Sequence, residues 1–184
     1  MKLALRFALP LPFACLGVLG CHTPGPYGHS PDYVAEGDEA SALAGARDFD
    51  PVMYERERDE WRKTDVVLFG VVDARRPGPG GAAMLRLSVR RLEPRNLCSN
   101  AKDDDTCRVT VSDKDFGVVY ALVPLRGEDD IGPRSVGLQS LVRVVGKFGQ
   151  EVATEGAPVL HASYYRHWPS SFYATRAMAA DMKQ

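Results

Sequence analysis

The stretch His161-Ala162-Ser163-Tyr164-Tyr165-Arg166-His167-Trp168-Pro169-Ser170-Ser171-Phe172-Tyr173 holds the densest group of side chains able to do chemistry. Imidazoles exchange protons near neutral pH, and a serine hydroxyl becomes a nucleophile when a base adjoins it. Rings beside a guanidinium can hold a sugar, a peptide or a base. On a strand, alternation puts His161, Ser163, Tyr165 and His167 on one face and Ala162, Tyr164, Arg166 and Trp168 on the other. The candidate ligand-binding residues are therefore Tyr164, Tyr165, Arg166 and Trp168. The competing expectation is an aromatic plug that closes one end of a barrel and packs against a short tail helix near residues 177–182. Ser163, Ser170 or Ser171 with His161 or His167 would make a hydrolytic pair. Such pairs arise readily by chance, and no Gly-x-Ser-x-Gly elbow, His-Glu-x-x-His or phosphate loop accompanies them. No catalytic residue is assigned and the chain is expected not to be an enzyme. His161 and His167 lack an evident third ligand, so neither a metal nor a cofactor is expected.

The four cysteines do not make one framework. Cys98 and Cys107 bracket Ser-Asn-Ala-Lys-Asp-Asp-Asp-Thr, a sequence suited to an exposed turn. In an exported, oxidising compartment they are expected to form a disulfide, stabilising by about 2.5 to 3 kcal/mol through loop entropy. A metal site with Asp103, Asp104 and Asp105 lacks the second Cys or His pair of a zinc site and the spacing of a calcium loop.

The compartment is legible at the start of the chain. Lys2 and Arg6 precede an uncharged apolar run over residues 7–19, which contains Cys15, Pro10 and Pro12. A comfortable membrane span needs about 20 apolar residues, so this shorter run reads as an export signal removed from the mature protein. Its end, Val18-Leu19-Gly20-Cys21, resembles a bacterial lipobox. The resemblance implies cleavage before Cys21, diacylglycerol on its sulfur and an acyl group, such as palmitate, on its amine. His22 follows, where an Asp would resemble an inner-membrane retention signal; the resemblance thus implies the outer membrane, on its periplasmic face. Loss of the first 20 residues takes the basic side chains from 23 to 21 against 24 acidic ones, so the formal charge moves from -1 to -3. The expected membrane contact is the lipid anchor.

A charge so near neutral argues against a strongly basic nucleic-acid binder. Arg86, Arg90, Arg91 and Arg143 are nevertheless a candidate basic patch on one face of a sheet. Outside the cytoplasm, an envelope protein or an anionic glycan is the expected partner, and nucleic acid is not.

These residues need positioning elements. Residues 1–20 are the signal, and residues 21–49, rich in Pro and Gly, read as a flexible tether. Asp50-Pro51 opens a charged helix over residues 50–64, with Asp50 as N-cap and Pro51 in the first turn. Residues 65–168 alternate in the period of strands: an apolar run at 66–72, Leu85, Leu87 and Val89 interleaved with Arg and Ser, a short repeat at Val109 and Val111, and runs at 118–123, 141–148 and 159–165. Residues 169–184 form a tail with a short helix. The chain is expected to be mainly β, a small antiparallel barrel of five to six strands that removes exposed edges. Ser140-Leu141-Val142-Arg143-Val144-Val145-Gly146-Lys147-Phe148, followed by a hairpin and Pro158-Val159-Leu160-His161-Ala162, resembles the fourth and fifth strands of OB-folds. The lipobox, β-rich domain and closing aromatic-Trp strand are distantly similar to Slp-type outer-membrane lipoproteins. Neither resemblance supplies a catalytic residue. The expected role is a non-catalytic binding or assembly module of the cell envelope. A glycan, peptide or small-ligand sensor working through the aromatic-Arg strand is the alternative, and an unrecognised envelope hydrolase the second.

Overall fold

Apolar alternation at 66–90 and 118–168 demands a sheet with one face hidden, and the chain meets that demand by closing the sheet on itself. The computed structural model describes Tyr33, Ala35 and residues 37–93, 109–170 and 172–181. Cys21, Cys98 and Cys107 lie outside the described residues, as does most of the expected tether. The described elements run α1 (Asp38–Leu43), β1 (Arg47–Asp48), α2 (Pro51–Arg56), α3 (Arg58–Lys63), β2 (Val66–Pro77), β3 (Ala83–Arg90), β4 (Val109–Val111), β5 (Val118–Val123), β6 (Leu141–Val152), β7 (Pro158–Trp168), β8 (Tyr173–Thr175) and α4 (Arg176–Asp181). Among the described residues no helix is long and apolar enough to cross a membrane.

Strands β2-β3-β5-β7-β6 pair in that order, and β6 pairs back to β2, so five strands form a closed ring. The sixth, β1, runs parallel to the start of β2 at Val66 and Val67, before β3 begins to pair there. The mainly β, OB-like barrel is thus present, but its sheet is mixed. The β6–β7 hairpin uses one edge of β7, and the edge left over meets β5 running in the same direction. Two glycines let the strands bend. A Cβ on Gly70 would lie 2.7 Å from Leu87 Cβ, and one on Gly146 would collide with the His161 carbonyl. Only glycine fits where backbones approach so closely.

The barrel interior is filled by Val66, Leu68, Val72, Leu85, Leu87, Val119, Val142, Val144 and Leu160, all buried. Asp50 caps α2 as expected, its Oδ1 accepting from Val52 N at 2.9 Å and Met53 N at 3.0 Å. The expected single helix over 50–64 instead breaks at Glu57 (φ -134°, ψ 42°) into α2 and α3. That break lets Tyr54 and Trp61 both reach inward beside Phe148, with the Tyr54 and Phe148 rings 4.6 Å apart. This pair of helices, rather than the aromatic end of β7, supplies the aromatic plug. Trp168 joins a second core outside the barrel, with Phe69, Val71, Leu141 and Tyr173, under the small parallel sheet of β4 and β8. The last part of the expected tether also carries regular elements: β1 pairs with β2, and α1 buries Glu39 against the barrel.

Candidate functional site

β7 has two unlike halves. Pro158, Val159 and Leu160 are buried, and β5 flanks this half at Val159, Leu160 and His161 while β6 flanks it on the other side. From residue 162 to 168 the strand is paired with β6 alone among the described residues. Residues 163–168 of this stretch line a pocket of about 430 Å³.

The register with β6 shifts between Val145 and Gly146, leaving Ser163 bulged between Ala162, opposite Gly146, and Tyr164, opposite Val145. A bulge advances the side-chain alternation by one residue. His161, opposite exposed Lys147, therefore lies on the outer face, whereas Tyr165 and His167 pair with core residues Val144 and Val142 on the inner one. The expected grouping of His161 and Ser163 with Tyr165 and His167 is corrected by this bulge. Tyr164, Arg166 and Trp168 do share the outer face.

All four candidate ligand residues line the pocket: Tyr164, Tyr165, Arg166 and Trp168. They are joined there by Arg126, Asp129 and Arg134 from the loop that follows β5. Asp129 Oδ2 accepts from the Tyr165 hydroxyl at 2.8 Å, and its Oδ1 lies 3.3 Å from His167 Nδ1. His167 Nε2 is 2.8 Å from the Arg134 carbonyl oxygen, so it is the nitrogen that donates. Burial, then the bond to Asp129, pushes the Tyr165 hydroxyl up to about 12. Asp129 thus accepts from Tyr165 through one oxygen and lies beside the His167 ring with the other, and the lining also holds Arg126, exposed, and Arg134, whose guanidinium lies 5.3 Å from the Phe172 centroid.

On its other side Arg166 is held by a buried acid. Glu39 of α1 is 2% exposed. Its Oε2 accepts from Arg166 Nη1 at 2.8 Å and from Tyr33 Oη at 2.7 Å. Its Oε1 accepts from Arg143 Nη1 at 3.0 Å and from Tyr33 Oη at 2.6 Å. Burial, followed by the Glu39 hydrogen bond and charge, holds the Tyr33 hydroxyl well above its ordinary value. The guanidiniums lie over rings, Arg143 at 4.9 Å from the Phe69 centroid and Arg166 at 4.9 Å from that of Trp168. A carboxylate this deep needs such partners, because a lone buried charge costs several kcal/mol. Glu39 thereby ties α1 to Arg143 of β6 and Arg166 of β7.

The candidate basic patch does not assemble. Arg143 is buried against Glu39. Arg86 is paired with Asp73 at 2.7 Å and with Glu155 at 3.0 Å. Arg90 donates to the carbonyls of Ser112 and Asp113, and Arg91 lies 4.1 Å from the Phe116 centroid. Each guanidinium is spent on a different neighbour, so the four share no open surface.

The suggested Ser–His pairs also have other partners. The Ser163 hydroxyl donates to the Val145 carbonyl at 3.2 Å, and His161 is bonded to Glu151. His167 is bound by Arg134 and Asp129, as described, and Ser171 lies outside the described residues. Among the described residues no cluster of His, Cys, Asp or Glu is placed to hold a metal ion.

No family model matches the sequence, and no curated protein matches it. A solved structure, that of the protein PriB from Ralstonia solanacearum, is similar at 18% identity with a TM-score of 0.28, covering 56% of this chain and 95% of that one. That likeness is too distant to bear on function.

Proposed function

We infer that this chain is a non-catalytic, lipid-anchored binding module of the bacterial outer membrane, whose ligand seats in the pocket beside residues 162–168. The observation that carries the binding part is the convergence of Tyr164, Tyr165, Arg166 and Trp168 with Arg126 and Arg134 on one concavity at an edge of the barrel. Concave sites with a few converging polar groups are where ligands are usually held. The lipobox-like Val18-Leu19-Gly20-Cys21 supports the anchor and the compartment. No cofactor enters this reading, and the expected partner is an envelope protein or glycan.

Two experiments test it. The full chain expressed in a Gram-negative host with labelled palmitate is expected in the outer-membrane fraction with the label attached; Cys21→Ser should abolish labelling and leave uncleaved precursor. A labelled Cys21→Ser protein would end the anchor claim. For the pocket, a photo-crosslinking residue in place of Tyr164 should capture an envelope component that the same residue at exposed Val52 does not. Equal capture at both positions, or none at 164, would count against the pocket.

A further inference from the structure

We propose that His167 is a pH-sensitive clamp on the wall of the pocket: as an imidazolium it ties the loop that follows β5 to β7 through both ring nitrogens, and on losing a proton it gives up one of those ties. The proposal rests on the pocket reading above and adds a means of regulating that site.

The first support is what the ring faces. Nε2 lies 2.8 Å from the Arg134 carbonyl oxygen, and Nδ1 lies 3.3 Å from Asp129 Oδ1. A carbonyl and a carboxylate only accept. A neutral imidazole has one N–H and one lone pair, so it serves the carbonyl while the lone pair of Nδ1 points at a carboxylate oxygen. The imidazolium donates to both and adds an ion pair with Asp129. The His167 side chain is 12% exposed, which leaves water little room to replace a missing bond.

The second support is how the loop is attached. From residue 126 to residue 135 no residue is buried, and Ile131 is 82% exposed. The fully buried anchor comes after that stretch, at Val136. The stretch itself is held by polar contacts. Arg75 of β2 reaches Asp130 and the Val136 carbonyl, the Tyr165 hydroxyl donates to Asp129 Oδ2, and His167 meets Asp129 and Arg134. A segment with few buried apolar contacts opens locally at low cost, so one bond more or less decides how firmly it is held.

The third support is that the neighbouring groups do not titrate alongside the ring. Around it stand Asp129 and the Arg134 backbone from the loop, Tyr165 from β7, and uncharged Val142 opposite it on β6. The other charged side chains lining the pocket are the guanidiniums of Arg126, Arg134 and Arg166. Guanidiniums do not deprotonate in proteins, and carboxylates ordinarily ionise in more acid solution than imidazoles. Burial, then Asp129, pushes the Tyr165 hydroxyl up to about 12. Of these groups, the imidazole is the one whose charge changes between pH 5 and 8.

The test follows loop and ring separately in the unliganded full chain. Ile131 is the single isoleucine of the sequence, so labelling its δ1 methyl places one NMR signal on the loop. Labelled histidine reports the ring nitrogens. From pH 5 to 8 the Ile131 methyl is expected to gain mobility, with the same midpoint as proton loss from His167 Nδ1. His161→Gln should leave this response in place, since that ring is bonded to Glu151 on the outer face. His167→Gln should make the mobility independent of pH. Asp129→Asn puts an amide N–H opposite Nδ1, where it donates to the neutral ring, while the amide oxygen still accepts from Tyr165. Its loop is expected to be held at pH 8 as firmly as the wild-type loop at pH 5, a reversal that a merely structural histidine would not give. A His167 ring that keeps one protonation state across the range would overturn the clamp. So would constant Ile131 mobility in the wild type, or an unchanged wild-type response in His167→Gln or Asp129→Asn. No ligand is used, so a failed clamp leaves the crosslinking test at Tyr164 to decide the pocket reading separately.

Discussion

The two halves of β7 differ in almost every respect that separates a scaffold from a site. Val159 and Leu160 are buried on opposite faces, Leu160 inside the barrel and Val159 in an outer cluster with Tyr120, Leu122 and Ala157. Strands flank them on both sides. Past the bulge at Ser163, the same strand carries Tyr164, Tyr165, Arg166 and His167, all only partly buried, and among the described residues pairs with β6 alone. Burial on both faces makes the first half expensive to alter. The second half is anchored at its end by Trp168 in the second core, and before it by polar contacts from outside the sheet, from Glu39 to Arg166 and from Asp129 to Tyr165.

The contrast is most exposed to a core truncation. Leu160→Ala is expected to cost about 3 to 4 kcal/mol in urea unfolding, from lost burial and an unfilled cavity inside the barrel. A loss below about 1 kcal/mol would mean that the first half is not the scaffold.

Next in size is the acid that pins the second half. Glu39→Ala leaves Arg143 and Arg166 without their shared carboxylate; breaking such a buried pair costs about 3 kcal/mol. Arg166 retains some exposure, which places the expected loss near the low end of that range. The variant should also alter the resonances of Arg166 and Trp168 while leaving those of Leu160 unchanged. Disturbance spread evenly along β7 would erase the distinction between its halves.

The smallest effect is a pH dependence. The Tyr165 hydroxyl is pushed up to about 12, first by burial and then by Asp129, against about 10 in an unfolded chain. The folded state therefore holds this proton more tightly. Its contribution is fully present below pH 10 and is lost as pH rises towards 12. Tyr165→Phe cannot lose a proton, so its stability relative to the wild type should improve across that window. A constant gap between the two urea midpoints from pH 9 to 12 would contradict the Asp129–Tyr165 contact.

Much of this was legible in the residues. Leu85, Leu87 and Val89 interleaved with Arg and Ser gave a strand whose inner face is read directly from alternation, and the Asp50-Pro51 cap needed only local chemistry. Tyr164, Tyr165, Arg166 and Trp168 were legible as a group because they are adjacent in sequence. Alternation failed at Ser163, where one extra residue reverses the faces and sends His161 away from Tyr165 and His167. Gly146 was the available signal, since a glycine inside a strand often marks a bulge. Glu39 carried no local signal at all: it sits in a weakly patterned segment, and its partners Arg143 and Arg166 are 104 and 127 residues away. The same distance problem dissolved the supposed patch of Arg86, Arg90, Arg91 and Arg143. Each of those side chains found its own neighbour only after folding.

The central claim is that residues 159–161 are flanked by strands on both sides, whereas residues 162–168 pair with β6 alone among the described residues. Residue-resolved amide hydrogen exchange on the unliganded full chain measures this directly. The account predicts slow exchange at Val159, Leu160 and His161, and within 162–168 an alternation in which amides facing away from β6 exchange fast. Uniformly slow exchange from residue 159 to residue 168 would show that the edge is already filled, and would contradict the account.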